Sequence, residues 1–321
     1  MTTPPVYRPQ DRLFKQVDVF TDAPYLGNPL AVVLDATGLS DDAMQRFARW
    51  TQLSKTTFLL PPTQPTADYR VRIFTSAGEL PFAGHPTLGS CHAWLQAGGQ
   101  AKQPDVVVQE CGQALVTIRR DRQPDGAQRL AFAAPALTHR APTAALQAQL
   151  AAALGLQARQ IHRAQLLDNG PTWLALLLDS ADTVLQLEPD HGALMQLGYK
   201  VGVAAPHAPT TPSALIGRVN REARAFQVNE QRAPPGDPLS ADIEVRAFAA
   251  LVGVPEDPVT GSLNASLAQW LMADGVLPER YTAHQGACLG RAGLVYLQRD
   301  AAGQVWVGGD VVSCIDGRVT L

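Results

Sequence analysis

Residues 79–89 place an imidazole at the predicted start of a helix. Gly84 and His85 come directly before Pro86 and Thr87, and an apolar helical pattern follows. The first N–H groups of a helix have no partner within the helix, and together with the helix dipole they favour an anion. A glycine lets a ligand approach the backbone, and a histidine can carry a proton. We therefore predict a small-carboxylate site here, with Gly84, Pro86 and Thr87 as substrate-binding residues.

Residues 256–262 place two carboxylates and two hydroxyl groups at the predicted start of another helix. The segment contains Asp257, Thr260, Gly261 and Ser262. Asp, Ser and Thr are residues that ordinary helix capping prefers, so capping alone explains each of the two segments when it is taken singly. If the segment instead binds a ligand, Thr260 and Gly261 are its candidate substrate-binding residues.

Two helix starts that face one another across a cleft would do more than cap their helices. They would hold one carboxylate and stabilise the negative charge that develops on the neighbouring carbon when a proton leaves it. His85 and Asp257 are then candidates for the acid and the base. Asn28 and Gly170 could donate to the same carboxylate, although turn formation explains both residues equally well.

The pattern of the remaining chain predicts an α+β protein with many short strands and few helices. β-Branched and aromatic residues alternate with polar ones in a series of short runs. The predicted strands are 14–20, 30–34, 57–60, 69–74, 106–110, 115–119, 243–248, 293–298 and 305–307. Residues 300–303 offer a hairpin turn between the last two of these strands.

Three helices carry the clearest start signals. The first has Ser40 as its N-cap, and acidic residues follow in its first turn. Its residues predicted to face the core are Met44, Phe47, Ala48 and Trp50. The other two helices are predicted over 86–95, with Pro86 in the first helical position, and over 262–272. Weaker helical patterns cover 143–154 and 190–197.

Some features of the chain occur twice. An Arg-x-Phe strand ending precedes each motif helix, at Arg72 and at Arg246, and a Trp-Leu pair lies late in each helix, at Trp94 and at Trp270. The two pairs are separated by nearly the same offset, slightly more than half the chain. An internal duplication would explain this offset, and chance similarity of two short strings is the alternative.

Composition excludes several classes of protein. Of the 321 residues, 46% are hydrophobic and 17% are charged, which excludes a disordered chain. The 26 Lys and Arg against 29 Asp and Glu give a formal net charge of -3, and neither sign forms a block. We therefore expect neither nucleic acid nor a membrane as partner, and a small carboxylate as ligand.

Cysteine spacing and the N-terminus favour a cytoplasmic protein. The four cysteines show no C-x-x-C spacing, and none of them is combined with nearby histidines in a metal-binding pattern. This argues against a zinc site, a redox dithiol and a disulfide framework. No cysteine lies at either helix start, so a thiol-pair epimerase is excluded as well. Residues 1–5 lack the basic and apolar pattern of a leader, and no run approaches the roughly 18 apolar residues of a membrane span.

Several strings of this chain resemble the phenazine-biosynthesis PhzF-like family in order and spacing, over essentially its whole length. They are VDVF at 17–20, GNPLAV at 27–32, LSKTTF at 53–58, ELPFAGHPTLG at 79–89, EDPVTGS at 256–262, QG at 285–286 and GRAG at 290–293. The resemblance implies a diaminopimelate epimerase-like fold, in which two pseudo-symmetric domains each roll a mostly antiparallel sheet, or barrel, around a central helix. Its domains would be 1–133, which the C-terminal strand 308–321 could join, and 134–307.

The resemblance also implies a function. It implies a homodimeric isomerase that needs no metal, flavin or nicotinamide and moves a proton at a carbon next to the carboxylate of a small amino or hydroxy acid. In the family pattern the catalytic acid/base is the glutamate of an S-E-T-T-F string, assisted by the His of G-H-P and the Asp and Ser of D-P-V-T-G-S. His85, Asp257 and Ser262 match three of these positions, whereas Lys55 stands where the pattern has glutamate.

Lys55 leaves three roles open. A lysine at its ordinary pKa of about 10.4 carries no lone pair to accept a proton, but burial between two helix starts would lower that pKa and could make Lys55 a base. An ion pair with Asp257 would instead keep Lys55 charged. A Schiff base with a carbonyl substrate is the third role. The lysine also leaves an alternative function open, a carboxylate-binding protein of the same fold without proton transfer.

Overall fold

The computed structural model describes residues 10–112, 114–123, 128–207 and 241–321. Residues 1–5, on which the prediction about a leader rests, lie outside these ranges. The described chain is α+β, with one large mixed sheet and few helices, in agreement with the predicted class. No helix of the described part is both long and apolar enough to cross a membrane.

The strands and helices are numbered in chain order. The strands are β1 (Asp11–Val19), β2 (Asn28–Val33), β3 (Thr56–Leu60), β4 (Tyr69–Phe74), β5 (Glu79–Leu80), β6 (Val106–Glu110), β7 (Leu115–Arg122), β8 (Gln128–Ala133), β9 (Thr138–Arg140), β10 (Ile161–Asp168), β11 (Thr172–Leu178), β12 (Lys200–Pro206), β13 (Ile243–Ala249), β14 (Val254–Asp257), β15 (Arg280–Gln285), β16 (Gly293–Arg299), β17 (Val305–Gly309) and β18 (Val311–Thr320). The helices are α1 (Asp41–Thr51), α2 (Gly84–Gln96), α3 (Ala144–Ala153), α4 (Ala181–Leu185), α5 (His191–Gln196) and α6 (Gly261–Ala273).

Strand pairing follows the same order in the two halves of the chain. In the first half β1 and β2 pair antiparallel, β2 and β3 parallel, β3 and β4 antiparallel, β4 and β6 parallel, and β6, β7 and β8 antiparallel. In the second half β10 to β13, β15, β16 and β17 pair in that same succession of directions. Several of these strands, such as β8, β10, β12 and β15, were absent from the sequence prediction.

Two long-range pairings join the halves. β8 pairs antiparallel with β17, so the last strand of the first series lies beside the last strand of the second. The chain then returns to its beginning, because β18 pairs antiparallel with β1 from Asp11 opposite Thr320 to Val19 opposite Val311. The sheet is therefore continuous across both halves, and the helices α2 and α6 lie against it.

The helices α2 and α6 are buried on nearly all sides rather than along one stripe. Every residue of α2 from Gly84 to Cys91 is buried, and most of α6 is buried as well. Such all-round burial fits their mostly small and apolar residues and is typical of a central helix. The predicted start of α2 was wrong by two residues: Ala83 is the N-cap, so Pro86 is the third helical residue, where a missing N–H is still tolerated.

The first helix, α1, matches its prediction except at one residue. Ser40 is the N-cap, and its hydroxyl accepts a hydrogen bond from the Ala43 N–H. Met44, Phe47 and Ala48 are buried, as predicted. The prediction that Trp50 faces the core was wrong, since Trp50 is 77% exposed. Its ring stacks on Phe47 at a centroid distance of 6.1 Å, and its other face is left to solvent.

An arginine–glutamate pair braces the strand before each of these central helices. Arg72 on β4 donates to both carboxylate oxygens of Glu79, at 2.8 and 2.6 Å. Arg246 on β13 does the same with Glu256, at 3.0 and 2.8 Å. Both guanidinium groups are thus held by bidentate pairs and are not free to bind a substrate.

Candidate active site

The starts of α2 and α6 are in direct contact. A Cβ atom added at Gly261 would lie 3.1 Å from Gly84 Cα and 3.3 Å from the His85 nitrogen, and a Cβ atom added at Gly84 would lie 3.1 Å from Gly261 Cα. A side chain at either position would crowd the other backbone, and glycine at both positions allows this close approach. The two segments that sequence analysis singled out therefore meet.

One cavity of about 410 Å³ is lined by both helix starts. Gly84 and His85 line it from α2, and Gly261 and Ser262 line it from α6. Its other polar lining residues are Lys55, Gly170, Lys200, Asp257 and Thr260. The rest of the lining is apolar and consists of Leu80, Pro81, Phe82, Ala83, Pro171, Trp173, Ala249, Val252 and Val254.

His85 is buried beside the cavity and is held in its neutral form. Its side chain lies at the start of α2, and its Nε2 atom has no hydrogen-bond partner among the residues that the structure describes. Burial, and then the positive charge of Lys55, lower the pKa of His85 well below its ordinary value of 6.5. A neutral imidazole with a free ring nitrogen can accept or donate a proton on a bound ligand.

Asp257 ends β14 and is held by hydrogen bonds from two directions. The Asn28 amide donates to Oδ1 at 3.2 Å, and the Thr260 hydroxyl donates to Oδ2 at 2.7 Å. The ion pair between Asp257 and Lys55 that sequence analysis considered is not formed, because no described carboxylate lies within 4.0 Å of the Lys55 ammonium. Lys55 instead lines the cavity without a hydrogen-bonded partner in the described chain.

Lys200 is a residue of the cavity that sequence analysis missed. It is the first residue of β12, and its Nζ lies 5.7 Å from the centre of the Trp173 ring. Burial, and then the charge of Lys55, lower the pKa of Lys200 from 10.5, while Asp257 opposes this shift. The cavity therefore contains two lysines.

Ser262 and Thr260 have hydroxyl groups that already form hydrogen bonds within the protein. The Ser262 hydroxyl accepts from the indole N–H of Trp173 at 3.3 Å, which leaves its own hydrogen available to a ligand. The Thr260 hydroxyl donates to Asp257, as described above, and so supports that carboxylate. Both residues line the cavity.

Of four further predicted substrate contacts, the structure places one in the cavity lining and three behind it. Asn28 is fully buried, and its amide donates to Asp257 and to the Val259 carbonyl, so it supports Asp257 from behind. Gly170 does line the cavity, but its N–H donates to Asp168 Oδ1 at 3.0 Å. Pro86 and Thr87 lie deeper in α2 and do not line the cavity; the Thr87 hydroxyl donates to the Ala83 carbonyl at 3.0 Å.

Comparison with known proteins gives the family. The sequence model of the phenazine biosynthesis-like proteins, PhzC-PhzF, matches residues 17–317. This chain belongs to that family. The resemblance found in its sequence strings is thereby confirmed.

Relatives of the phenazine biosynthesis-like family cover nearly the whole chain. The chain is 33% identical to antisense-enhancing sequence 1 of Schizosaccharomyces pombe, over 95% of this chain and 97% of the relative. It is 32% identical to the trans-2,3-dihydro-3-hydroxyanthranilate isomerase of Pseudomonas aeruginosa, over 95% and 98%. The crystal structure of a Bacillus anthracis phenazine biosynthesis protein has the same fold, with a TM-score of 0.77 at 20% identity, over 97% of this chain and all 100% of that one. Relatives named isomerases support a general isomerase role at the level of the family.

In this member of the family, Gln285 fixes the backbone at the start of α6. Its side-chain oxygen accepts from the Thr260 N–H at 3.0 Å and from the Asn264 amide at 2.9 Å. Its side-chain nitrogen donates to the Asp257 carbonyl at 3.0 Å. One buried amide on β15 thus ties the strand that ends in Asp257 to the helix that follows it.

The described residues offer no set of ligands for a metal ion. No three His, Cys, Asp or Glu side chains of the described chain cluster closely enough to hold one. The groups that line the cavity are instead two lysines, a neutral histidine, a carboxylate and hydroxyls. These are groups that bind an anion and transfer a proton.

Proposed function

We propose that this protein is a cofactor-independent isomerase, which moves a proton at a carbon next to the carboxylate of a small amino or hydroxy acid. The observation that carries the proposal is the contact between Gly84 and Gly261, which directs two helix starts at one cavity. His85 and Asp257 line the same cavity, so a carboxylate held at the helix starts would place its neighbouring carbon within their reach.

The reaction would proceed by removal and return of one proton. A base takes the proton from the carbon next to the carboxylate, and the electron pair of the C–H bond moves into the carboxylate. The N–H groups at the two helix starts stabilise the extra negative charge, because they are oriented before the reaction begins. In an acid with a carbon–carbon double bond beside that carbon, the proton returns to the far carbon of the double bond and the double bond moves next to the carboxylate, so the isomerisation needs no oxidation or reduction.

We assign the proton transfers to His85 and Asp257, with Ser262 as a hydrogen-bond donor to the charge that develops. His85 is neutral and has a free ring nitrogen, and Asp257 is oriented by Asn28 and Thr260. Lys55 completes the catalytic set as a nearby positive charge or as a proton carrier, and Thr260 and the two glycines form the binding surface. The experiment below distinguishes the two roles of Lys55.

The family resemblance supports further proposals about the whole protein. We propose a cytoplasmic homodimer of subunits with two pseudo-symmetric domains, 1–133 together with 308–321, and 134–307. The repeated order of strand pairing supports this division. The substrate would be a small carboxylate, with no part for nucleic acid, a membrane or an added cofactor.

Solvent-deuterium exchange tests the proposed reaction. The protein is incubated in deuterated water with trans-2,3-dihydro-3-hydroxyanthranilate, the substrate in the name of several relatives, and with a panel of amino and hydroxy acids. Mass spectrometry then reports deuterium at carbon. We expect exchange with the native protein and a loss of about a hundredfold or more in His85→Gln and in Asp257→Asn.

Two further variants complete this test. His139→Gln alters an exposed histidine that does not line the cavity and is expected to leave exchange unchanged. Exchange that survives in Lys55→Arg, which keeps the positive charge but does not give up a proton, assigns Lys55 to charge or binding, whereas loss of exchange makes Lys55 a proton carrier. Exchange that persists in both His85→Gln and Asp257→Asn would contradict the assigned roles.

A carboxylate-binding protein without proton transfer is the second candidate function. Lys55, at the position of the family's glutamate, favours it, because an ammonium binds a carboxylate but does not accept a proton. Binding of an acid, measured by calorimetry, together with a complete absence of exchange in the native protein would support this candidate over the isomerase.

A further inference from the structure

We infer that the acid bound in this cavity is a dicarboxylate, with one carboxylate at the paired helix starts and the other between Lys55 and Lys200. The inference rests on the proposed function and names its substrate class. Two ammonium groups in one small cavity repel one another unless an anion binds between them.

Neither lysine is in direct contact with a carboxylate of the described chain. Lys55 and Lys200 both line the cavity, and the part of the chain that the structure describes gives neither of them a hydrogen bond or an ion pair. Lys200 does lie over the Trp173 ring, which can stabilise a cation but does not neutralise it. Other long cations of this protein are paired: Lys15 with Asp316, Arg72 with Glu79 and Arg246 with Glu256.

The charges that line the cavity leave an excess that fits two carboxylates. Asp257 is its one acidic lining residue in the described chain, and its oxygens already accept hydrogen bonds from Asn28 and Thr260. His85 is neutral, because its pKa is held well below 6.5. One lysine charge therefore remains after Asp257 is counted, and two helix N-termini add further positive potential. A monocarboxylate at the helix starts would leave this remaining lysine charge without a counter-charge.

His85 indicates independently that a ligand belongs here. Its side chain is only 3% exposed, yet its Nε2 has no partner in the described residues. A buried polar atom without a hydrogen bond is unfavourable, and a ligand that occupies the cavity would supply the missing partner. The cavity lined by the helix starts and the lysines thus also contains a buried side chain that lacks a partner.

The wall of the cavity restricts what lies between the two carboxylates. Phe82, Trp173 and Val254 form part of an apolar surface beside the charged groups. The carbon framework of the ligand would contact this surface, so we expect few polar substituents on that face. A volume of about 410 Å³ suits a short aliphatic or monocyclic diacid rather than a peptide.

Matched acids test the inference by isothermal titration calorimetry at pH 7 and low salt. The probes are glutarate and phthalate, each compared with its own monoamide, glutaramate or phthalamate, which keeps the size and removes one charge. We expect each diacid to bind the native protein at least about tenfold more tightly than its monoamide. In Lys200→Gln the ratio should fall to about one, and in Lys200→Arg it should be retained, because Arg preserves the charge.

Control variants separate charge in the cavity from charge elsewhere. Lys102 lies outside the cavity and donates to the Pro65 and Ala67 carbonyls, so Lys102→Gln should keep the native preference. Circular dichroism establishes that each variant is folded. Equal affinity for a diacid and its monoamide in the native protein, or no binding of either diacid at millimolar concentration, would overturn the inference.

The outcomes also separate this inference from the proposed function. A preference for diacids that depends on Lys200, without deuterium exchange on any acid, supports the dicarboxylate site and contradicts the isomerase. Deuterium exchange on monocarboxylic acids, together with equal affinity for diacids and their monoamides, would support the isomerase and contradict the dicarboxylate site.

Discussion

Asn28 shows how a single buried amide can govern the chemistry of a neighbouring carboxylate. Its nitrogen donates to Asp257 at 3.2 Å and to the Val259 carbonyl at 2.8 Å, and its oxygen accepts from the Ser54 hydroxyl at 3.3 Å. The sequence offered no means to distinguish this supporting role from substrate binding. Both roles use the same amide, and only the fold decides which atom it reaches.

We predict that Asn28→Leu destabilises the protein by about 2 kcal/mol or more, because a buried carboxylate and a buried carbonyl would each lose a donor. Urea denaturation of the native and variant proteins measures this change. Gln103→Leu, at an exposed amide, serves as the control and should change the free energy of unfolding by less than about 0.5 kcal/mol. Equal stability of native and Asn28→Leu proteins would contradict the role given to Asn28.

His92 should make stability depend on pH. Burial, and then the charge of Lys15, lower the pKa of His92 to about 4, and its Nε2 lies 3.2 Å from the Ser313 hydroxyl. In the unfolded chain the pKa returns to about 6.5. Below that pH the unfolded chain binds a proton that the folded protein does not, so stability falls as the pH is lowered from 6.5 toward 4. Neutral His85 adds to the same trend.

A substitution isolates the contribution of His92. In His92→Gln the loss of unfolding free energy between pH 7 and pH 5 should be smaller than in the native protein by about 2 kcal/mol. The matched control, His162→Gln, removes an exposed histidine and should leave the native pH dependence unchanged. Urea titrations at the two pH values make the measurement. If both variants follow the native curve, His92 does not titrate as described.

At the scale of single elements, local signals predicted the starts of α2 and α6 to within two residues. The glycine, proline and hydroxyl residues at the starts of α2 and α6 act on their own few backbone groups, so their effect can be seen in the sequence. Lys200 could not be found in this way. It reaches the cavity because β12 pairs parallel with β11, which sets Lys200 opposite Trp173, and such a register depends on residues distant in the chain.

The contact between α2 and α6 predicts a strong effect of one methyl group. In Gly261→Ala the new Cβ would meet backbone atoms of Gly84 and His85 at 3.1 to 3.3 Å, and backbone cannot move aside as a flexible side chain can. We expect a loss of about 1–3 kcal/mol in stability, together with weaker binding of carboxylates in the cavity. Thermal unfolding and calorimetry measure the two effects.

Gly78→Ala provides the control for this prediction. A Cβ at Gly78 would meet nothing within 4 Å, so this variant should keep both native stability and native binding. Two outcomes would contradict the close approach of the helix starts: no effect of Gly261→Ala, or an equal effect of the two variants. Weaker binding without a loss of stability would mean that the helices separate slightly at little cost.

At the scale of the whole molecule, the sequence indicated a repeat but not how its halves are joined. Recurring Arg and Trp residues at a nearly constant offset predicted a doubled chain, and each arginine proves to pair with a glutamate ahead of a central helix. The two halves are joined by the pairing of β8 with β17 and by the pairing of β18 with β1. These bring together strands from distant parts of the chain, and no local residue pattern specifies such partners.

The return of β18 to β1 predicts where the molecule would open if the last strand were removed. Deletion of residues 311–321 takes away the strand that pairs with β1 along its length, and it removes Asp316, the partner of buried Lys15. We expect the amides of β1 to exchange with solvent deuterium much faster, while those of β15, whose neighbours β13 and β16 remain, change little. Hydrogen exchange followed by mass spectrometry measures both strands in one experiment.

Asp316→Asn is the matched control for this deletion, since it weakens the ion pair and keeps the strand. It should leave most of the protection of β1 in place. An equal loss of protection in β1 and β15 would show instead that β18 stabilises both halves together.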